Sequence, residues 1–519
     1  MKHLLIDDDG IELREGVERR WHHPVKHGRP VLEPDGDLEW PRLHIWNPPL
    51  PAEDGDGWRM WYIGSEDLLP LHATSDDGIE WRRRSLGLVE REGSADTNLI
   101  DLGFDAGRKE RRLVLCRSGE SAYHALTRVS GRLKPLQSAD GLTWRFHEDH
   151  PGIPSDDEYR LTCDPDEGLF IATVKLGGRE GRVPFAAPEY GRTVSLSTSR
   201  DGLTWTEPEV IFHADFRDRA AGATAIEEHL ADDSLLSPIF AEPGHSWTDV
   251  YNMPVFRYED RYLALPVMFH HSGPWQYPGR AEGSNQDGLL WPALAWSRDL
   301  REWRRPHRRE PFLPLSPCDD PDIYDNGSIH ACAPVRRGDE LWFYYYGSRF
   351  SHVSPAVLDE AGLLRPDRPT GAIFLAKLRL DGFASLRADD GMVLTGPVTV
   401  DGAELRINAN AADGEIRAEI RDAQTGRVIP GFAIGDAAAP RTVTFPDGRV
   451  EPRKCGWGAR FEDDPTGDDS VAFSGDEVDA PMQWRGGRDL SALRGREVRV
   501  LFSLRNAEIY SFHFADETG

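Results

Sequence analysis

Apolar residues come along this chain in short dense runs separated by polar, glycine-bearing turns, and helical periodicity is scarce. The strongest runs are 58–62, 112–116, 169–174, 262–267 and 341–346, each rich in aromatic and branched residues. Runs of this length bounded by turn residues read as strands. Four of the five lead into one recurring turn. Its copies are Ser75-Asp76-Asp77-Gly78-Ile79-Glu80-Trp81, Ser138-Ala139-Asp140-Gly141-Leu142-Thr143-Trp144, Ser199-Arg200-Asp201-Gly202-Leu203-Thr204-Trp205 and Ser297-Arg298-Asp299-Leu300-Arg301-Glu302-Trp303, the last without its glycine. The Asp can cap the turn backbone, the Gly can take a positive φ, and the Trp opens the next strand. Repetition of this kind predicts a modular array of sheets. Five apolar strands, with 372–383 supplying the last ones, predict a five-bladed β-propeller over roughly residues 20–385. Residues 4–6 and 11–13 read as a closing strand or as packing against a second domain.

From about Gly391 the pattern changes to short alternating strands at 398–400, 404–408, 416–420 and 498–504, which suit an antiparallel β-sandwich. The predicted fold is therefore all-β, with a catalytic propeller and N-terminal strand over 1–385 and a sandwich over 386–519. One short helix is expected near 222–233. The acidic stretches 462–464 and 468–469 read as a solvated loop.

Composition adjusts this picture. Sixteen Trp favour sheet, and 50 Gly with 38 Pro supply its turns. A formal net charge of −27 argues against a nucleic-acid or anionic-membrane surface. The five cysteines (Cys116, Cys163, Cys318, Cys332 and Cys455) are scattered and form no C-x-x-C, so neither a zinc ribbon nor a disulfide framework is expected, and most read as small buried residues. No apolar run has membrane length, and 4–6 is too short for a signal-peptide core, so the chain as given reads as cytoplasmic. Oligomeric state is not legible.

Each predicted inner strand is entered through an acidic or amide-rich segment. These segments carry Glu39, Arg42 and His44; Asp96 and Asn98; Asp157 and Glu158; Trp247, Asp249 and Asn252; and Asp325, Asn326 and His330. Asp96 precedes Asp140 by the same interval as Asp157 precedes Asp201, which suggests equivalent places in successive blades. Inner strands run side by side around a propeller axis, so residues that begin them converge on one mouth of the channel. Carboxylates crowded there would have their pKa values driven apart, as acid–base chemistry at a glycosidic bond requires. Asp96, Asp157, Glu158 and Asp249 are the catalytic candidates. Glu39, Arg42, His44, Trp46, Trp247, Asp325 and His330 are the substrate-binding ones, with Trp46 and Trp247 placed to stack on sugar faces. Arg42, Arg160 and Arg349 could recognise a carboxylate or sulfate on a sugar, or pair with the acids. No metal or other cofactor is required, although a carboxylate-lined channel could hold calcium. There is no P-loop, H-E-x-x-H, G-x-S-x-G or dinucleotide fingerprint.

With these segments the chain resembles the five-bladed propeller glycoside hydrolases, families 32 and 43 and their relatives, in which a β-sandwich often follows. The resemblance implies that Asp96-Thr97-Asn98-Leu99 is the transition-state stabiliser segment and Asp157-Glu158 the acid segment. Leu405-Arg406-Ile407-Asn408-Ala409 and Tyr510-Ser511-Phe512 resemble the sandwich attached to bacterial propellers of this type. The first blade departs from the pattern: His44-Ile45-Trp46-Asn47-Pro48-Pro49 stands where family 32 has Trp-x-Asn-Asp-Pro, so Glu39, Asp249 or Asp325 would have to supply the missing carboxylate. The expected function is hydrolysis of a glycoside or oligosaccharide, with a furanoside among the candidates. The alternatives are a non-catalytic carbohydrate-binding propeller and a sialidase-like hydrolase. Sugar identity, linkage and stereochemical outcome are not legible.

Overall fold

The computed structural model describes the chain except at residues 54, 66, 105–111, 120–121, 177–190, 275–285, 436–441, 445–449, 453–464, 466 and 517–519. It is nearly all strand and divides into two compact units, His23–Leu378 and a unit formed by Met1–His22 with Arg379–Gly519.

The 23–378 unit is a propeller-like succession of sheets. The first contains Leu43–His44, Leu50–Pro51, Trp58–Gly64 and Leu69–Ser75. The second contains Val114–Ser118, Ala122–Val129, Arg132–Ser138, Arg145–Phe146 and Ile153–Pro154. Tyr159–Asp164, Leu169–Leu176, Thr193–Ser199 and Glu209–Phe212 form the third. Beyond them, strands from Trp247–Asn252 to Gly371–Arg379 join one eight-stranded sheet, and Val255–Tyr258, Arg261–Ala264 and Ala295–Ser297 form a three-stranded one. Among the described residues of this unit, then, four sheets have four or more strands, where five separate blades were predicted. The fourth and fifth repeats share a sheet through the parallel bridge Leu290–Ser328. Closure comes from the start of the unit: Val25–Lys26 pairs with Lys377 and Ala376, and Leu32 bridges Ile373.

The recurring turn is a joint between sheets. In each copy the Ser hydroxyl donates to the Asp carboxylate, and one Asp oxygen accepts two backbone N–H groups, those of Ile79 and Glu80, Leu142 and Thr143, Leu203 and Thr204, or Arg301 and Glu302. The following residue has positive φ: 77° at Gly78, 72° at Gly141, 70° at Gly202 and 66° at Leu300. Gly141 in the second sheet lies against Trp61 of the first, whose indole donates to the Gly141 carbonyl at 2.7 Å. Gly202 in the third meets His124 of the second, and Gly78 in the first receives a 2.7 Å bond on its carbonyl from Tyr344 of the fifth repeat. The turns at Gly141 and Gly202 thus dock on the preceding repeat, and the one at Gly78 on the last.

Three sequence expectations change. The predicted helix begins earlier and spans Phe216–Ala231, because Asp215 and Asp218 form a capping box at its start. Run 112–116 opens its sheet rather than following an inner strand, since among the described residues Val114–Ser118 pairs only with Ala122–Val129. Cys116 and Cys163 form a disulfide, with Cα atoms 6.0 Å apart, because neighbouring repeats bring their first strands together. Cys332 is a buried free thiol and Cys318 an exposed one; Cys455 lies outside the described residues.

The other unit is built on one long strand, Glu497–Ala515. Its first half pairs with Glu415–Asp422 on one side and Ala384–Thr395 on the other, and its second half takes Glu404–Asn410. These strands belong to one nine-stranded sheet rather than to two separate ones. Val398, Leu405, Ile407, Ile416, Ile420, Phe502 and Phe512 are in its apolar core. His3–Leu4 and Ile11–Glu15 pair here, so the N-terminal strands sit in this unit and not in the propeller-like one, and the acidic stretch 462–464 lies outside the described residues. No helix among the described residues is long and apolar enough to cross a membrane.

Candidate active site

A cavity of ≈ 280 Å³ is lined by residues in or next to Leu43–His44, Val114–Ser118, Tyr159–Asp164, Trp247–Asn252 and Ser328–Ala331. Arg42, His44 and Trp46 come from the first repeat, Arg112 from the second, Glu158 from the third, Tyr251 from the fourth and His330 from the fifth. The loop that carries Phe350, Ser351 and His352 forms another wall.

Among the described residues Glu158 is the carboxylate on this lining, and it is buried. Arg112 donates to Oε1 at 2.7 Å, while Asn252 and the Trp46 indole donate to Oε2 at 3.1 and 3.4 Å. Arg160 lies 3.6 Å from Oε2. Every one of these partners is a donor, the pattern of a carboxylate rather than of a carboxylic acid. The guanidinium carbons of Arg112 and Arg160 lie 5.4 and 5.7 Å from the Trp46 ring centroid.

The remaining titratable groups are set by burial. Burial, with Arg42 and His330 beside it, holds His44 well below the ordinary histidine range, and burial with Arg160 nearby does the same to His330. Burial, then Arg192 and Lys175, brings His352 down to about 3. Burial and the charges of Glu158 and Asp157 push the Tyr251 phenol well above its usual value. The imidazoles are therefore neutral and the phenol protonated at neutral pH. Tyr251 Oη and His352 Nε2 are 3.0 Å apart and form a hydrogen-bonded pair.

Five of the predicted site residues line the cavity: Glu158, Arg42, His44, Trp46 and His330. The others do not. Asp96 is exposed, and the segment after it bridges Leu71 through Leu99, which extends the outer edge of the first sheet. Its matched interval with Asp157 reflects loop lengths, not an equivalent place. Asp157 neighbours Glu158, but its half-exposed carboxylate pairs with Lys175. Asp249 is buried against Arg192 and His271, each at 3.3 Å; although burial opposes it, the Arg192 guanidinium and the His271 ring lower its pKa to about 2. Glu39 is held by the Tyr62 hydroxyl at 2.5 Å and Arg83 at 2.7 Å, and Asp325 by Lys26 at 2.6 Å and Tyr345 at 2.8 Å. Trp247 stacks on His271 at 4.0 Å. The expected ring of carboxylates is thus dispersed into separate ion pairs, which is what desolvation demands of buried acids with no ligand to meet.

Arg112, Tyr251, His352 and Asn252 were not singled out from sequence. Tyr251 and Asn252 stand inside the segment read as the fourth inner strand, and Arg112 heads an apolar run assigned to the wrong position in its sheet. His352 lies in a loop with no pattern to mark it. Among the described residues no group of three or more His, Cys, Asp or Glu side chains is arranged to hold a metal ion.

No family model and no curated protein sequence matches the chain. Solved structures of similar layout include an N-acetylgalactosamine deacetylase from F. plautii in complex with blood group B trisaccharide, at 14% identity, covering 70% of this chain and 96% of that one, with a TM-score of 0.40. The Bombyx mori GH32 β-fructofuranosidase is 11% identical over 96% of this chain and 94% of its own, with a TM-score of 0.37. The catalytic domain of the Coprinopsis cinerea GH62 α-L-arabinofuranosidase is 12% identical over 68% and 97%, with a TM-score of 0.38. These are distant likenesses, and glycoside hydrolases are among them.

Proposed function

We propose that the 23–378 unit is a five-bladed propeller that cleaves a glycosidic bond in its axial cavity, and that the 1–22 and 379–519 unit is a sandwich wound from one sheet. The observation that carries this reading is the position of Glu158: a buried carboxylate, fixed by donors from three repeats, on a cavity to which all five repeats contribute side chains. Trp46 offers an aromatic wall of the kind that stacks on sugars. Glu158 acts as base or nucleophile, and the Tyr251 phenol, paired with His352, is the proton-bearing group on the same lining. A glycoside or oligosaccharide is the substrate.

The test is a screen of aryl furanosides, aryl pyranosides and oligosaccharides, followed by Glu158→Gln on whatever substrate is found. The variant should lose roughly 10²- to 10⁴-fold in kcat, with its melting transition still cooperative. Full activity in a folded variant would remove Glu158 from the chemistry. One observation favours a second reading: among the described residues the cavity presents a single carboxylate, where glycoside hydrolysis ordinarily pairs two. A propeller that binds glycans without cleaving them would show saturable sugar binding and no product.

A further inference from the structure

Glu158 owes its seat to a side chain from another sheet, and the two strands involved meet along one seam. Arg112 stands just ahead of Val114–Ser118, and Glu158 just ahead of Tyr159–Asp164. Among the described residues no backbone hydrogen bond joins these two strands, which belong to different sheets. Side chains join them instead. At the cavity end the Arg112 guanidinium donates to Glu158 Oε1 at 2.7 Å and to the Asp157 carbonyl, and the Tyr159 hydroxyl donates to the Arg112 carbonyl at 3.1 Å. Alternation puts Tyr159, Leu161 and Cys163 on one face of their strand, and Val114 and Cys116 on one face of theirs. Val114, Cys116, Tyr159 and Leu161 share one apolar cluster, with Cys163 packed against it. At the far end the Cys116–Cys163 disulfide closes the seam.

The two kinds of contact hold the seam differently. Apolar packing is non-directional and tolerates a small slide or parting of the strands, whereas the bridge fixes two Cα atoms 6.0 Å apart. A hydrogen bond of 2.7 Å is lost when its partners move apart by about 1 Å. Arg112 is the donor on Oε1, while Asn252 and Trp46 address Oε2, so they do not replace it. The bridge is also within reach of small thiols. Cys116 and Cys163 line a second cavity of ≈ 160 Å³, and Cys163 is partly exposed.

We infer that Cys116 and Cys163 are positioning residues of the active site: their bridge holds the inner strands of the second and third repeats at the spacing that seats Arg112 on Glu158, and opening it unseats that pair. For its effect on turnover the inference rests on the proposed role of Glu158. It goes beyond that role by tying activity to the redox state of two cysteines that do not line the cavity around Glu158. A small dithiol opens the bridge by exchange. Its thiolate attacks one sulfur, forms a mixed disulfide and expels the other cysteine, which takes up a proton. The second thiolate of the dithiol then closes its own ring disulfide and releases the first cysteine, so two electrons and two protons pass to the protein.

The experiment uses the full chain as wild type, as Cys116→Ala with Cys163→Ala, and as Arg112→Gln, each with and without dithiothreitol. Loss of a bridge lowers the melting temperature on any account, so geometry and coupling are the deciding readouts. A crystal structure of the cysteine double variant should show the Arg112–Glu158 bond lost. Where that variant does not fold, wild-type crystals soaked in dithiothreitol supply the same comparison. On the substrate from the screen, assayed well below the melting transition, kcat should fall roughly 10- to 100-fold with KM little changed. The double variant and the reduced wild type should agree, and reoxidation should restore only the wild type. In Arg112→Gln, reduction should cost no further activity, because the pair on which the bridge acts is already gone. An Arg112–Glu158 bond kept at 2.7 Å with the bridge open would overturn the inference. So would an equal further loss in Arg112→Gln, which marks a bridge that supports the fold alone. If the pair is lost but no form cleaves a glycoside, the positioning stands and the proposed cleavage falls. If the pair is kept and the wild type cleaves, the reverse holds.

Discussion

His270 shows what burial does to a single ionisable side chain in this fold. Its ring stacks on Trp291 at 4.0 Å, its Nδ1 lies 3.0 Å from the Thr248 hydroxyl, and its Nε2 has no partner among the described residues. Burial, with His271 adding to it, lowers its pKa to about 3. Unfolding frees it to titrate near 6.5, so between these values the unfolded chain binds more protons than the folded one. Stability is thus complete above pH 6.5 and falls as the pH drops toward 3. At pH 5 the loss is about 2 kcal/mol for one such histidine. Urea unfolding at pH 7 and pH 5 should show this fall in the wild type and a smaller one in His270→Gln; equal falls would contradict it. The same physics explains why individual acids misled the sequence reading. Glu39, Asp249 and Asp325 are as buried as Glu158 and, like it, ion-paired, but Arg83, Arg192 and Lys26 hold them off the cavity lining, and cations so far away in the chain leave no local signal.

The turns between strands were the most legible elements, because their chemistry is local. Ser, Asp and Gly at fixed offsets dictate a hydrogen-bonding pattern that needs no partner from elsewhere. Their docking on the preceding repeat was not legible, since it depends on which aromatic faces them. It can be tested at Gly141, where φ is 72° and an added Cβ would stand 2.7 Å from Trp61 Cζ2. Gly131 has a similar φ of 79° with nothing within 4 Å of such an atom. Gly131→Ala should cost about 1 kcal/mol from backbone strain alone, and Gly141→Ala about 2–4 kcal/mol because Trp61 must also move. Equal costs in urea titrations would mean that the turn does not press on the neighbouring sheet. Strand order fared less well than strand existence. The run at 112–116 was recognised, but its place as first strand of its sheet was not, because apolar density is the same in every layer of a buried sheet. That one displacement moved the expected second-blade residue from Arg112 to Asp96, and so exchanged a cation for an acid in the predicted site.

Across the whole chain, the alternation of dense apolar runs and repeated turns sufficed for a nearly all-β chain with a propeller-like arrangement, and for a change of pattern near Gly391. It left open whether the first residues close the propeller or pack on a second domain; they pair with strands beyond residue 383, a choice set by three-dimensional closure. It did place Glu158, Arg42, His44, Trp46 and His330 at one opening, because strand starts in successive repeats must meet around an axis. The claim on which everything else depends is that this opening is where a sugar binds. A crystal structure of Glu158→Gln soaked with the best substrate from the screen tests it directly. Density for the sugar should lie against Trp46, within hydrogen-bonding reach of residue 158 and Tyr251. Sugar bound only on an outer face, with the axial cavity unfilled at saturating ligand, would contradict it.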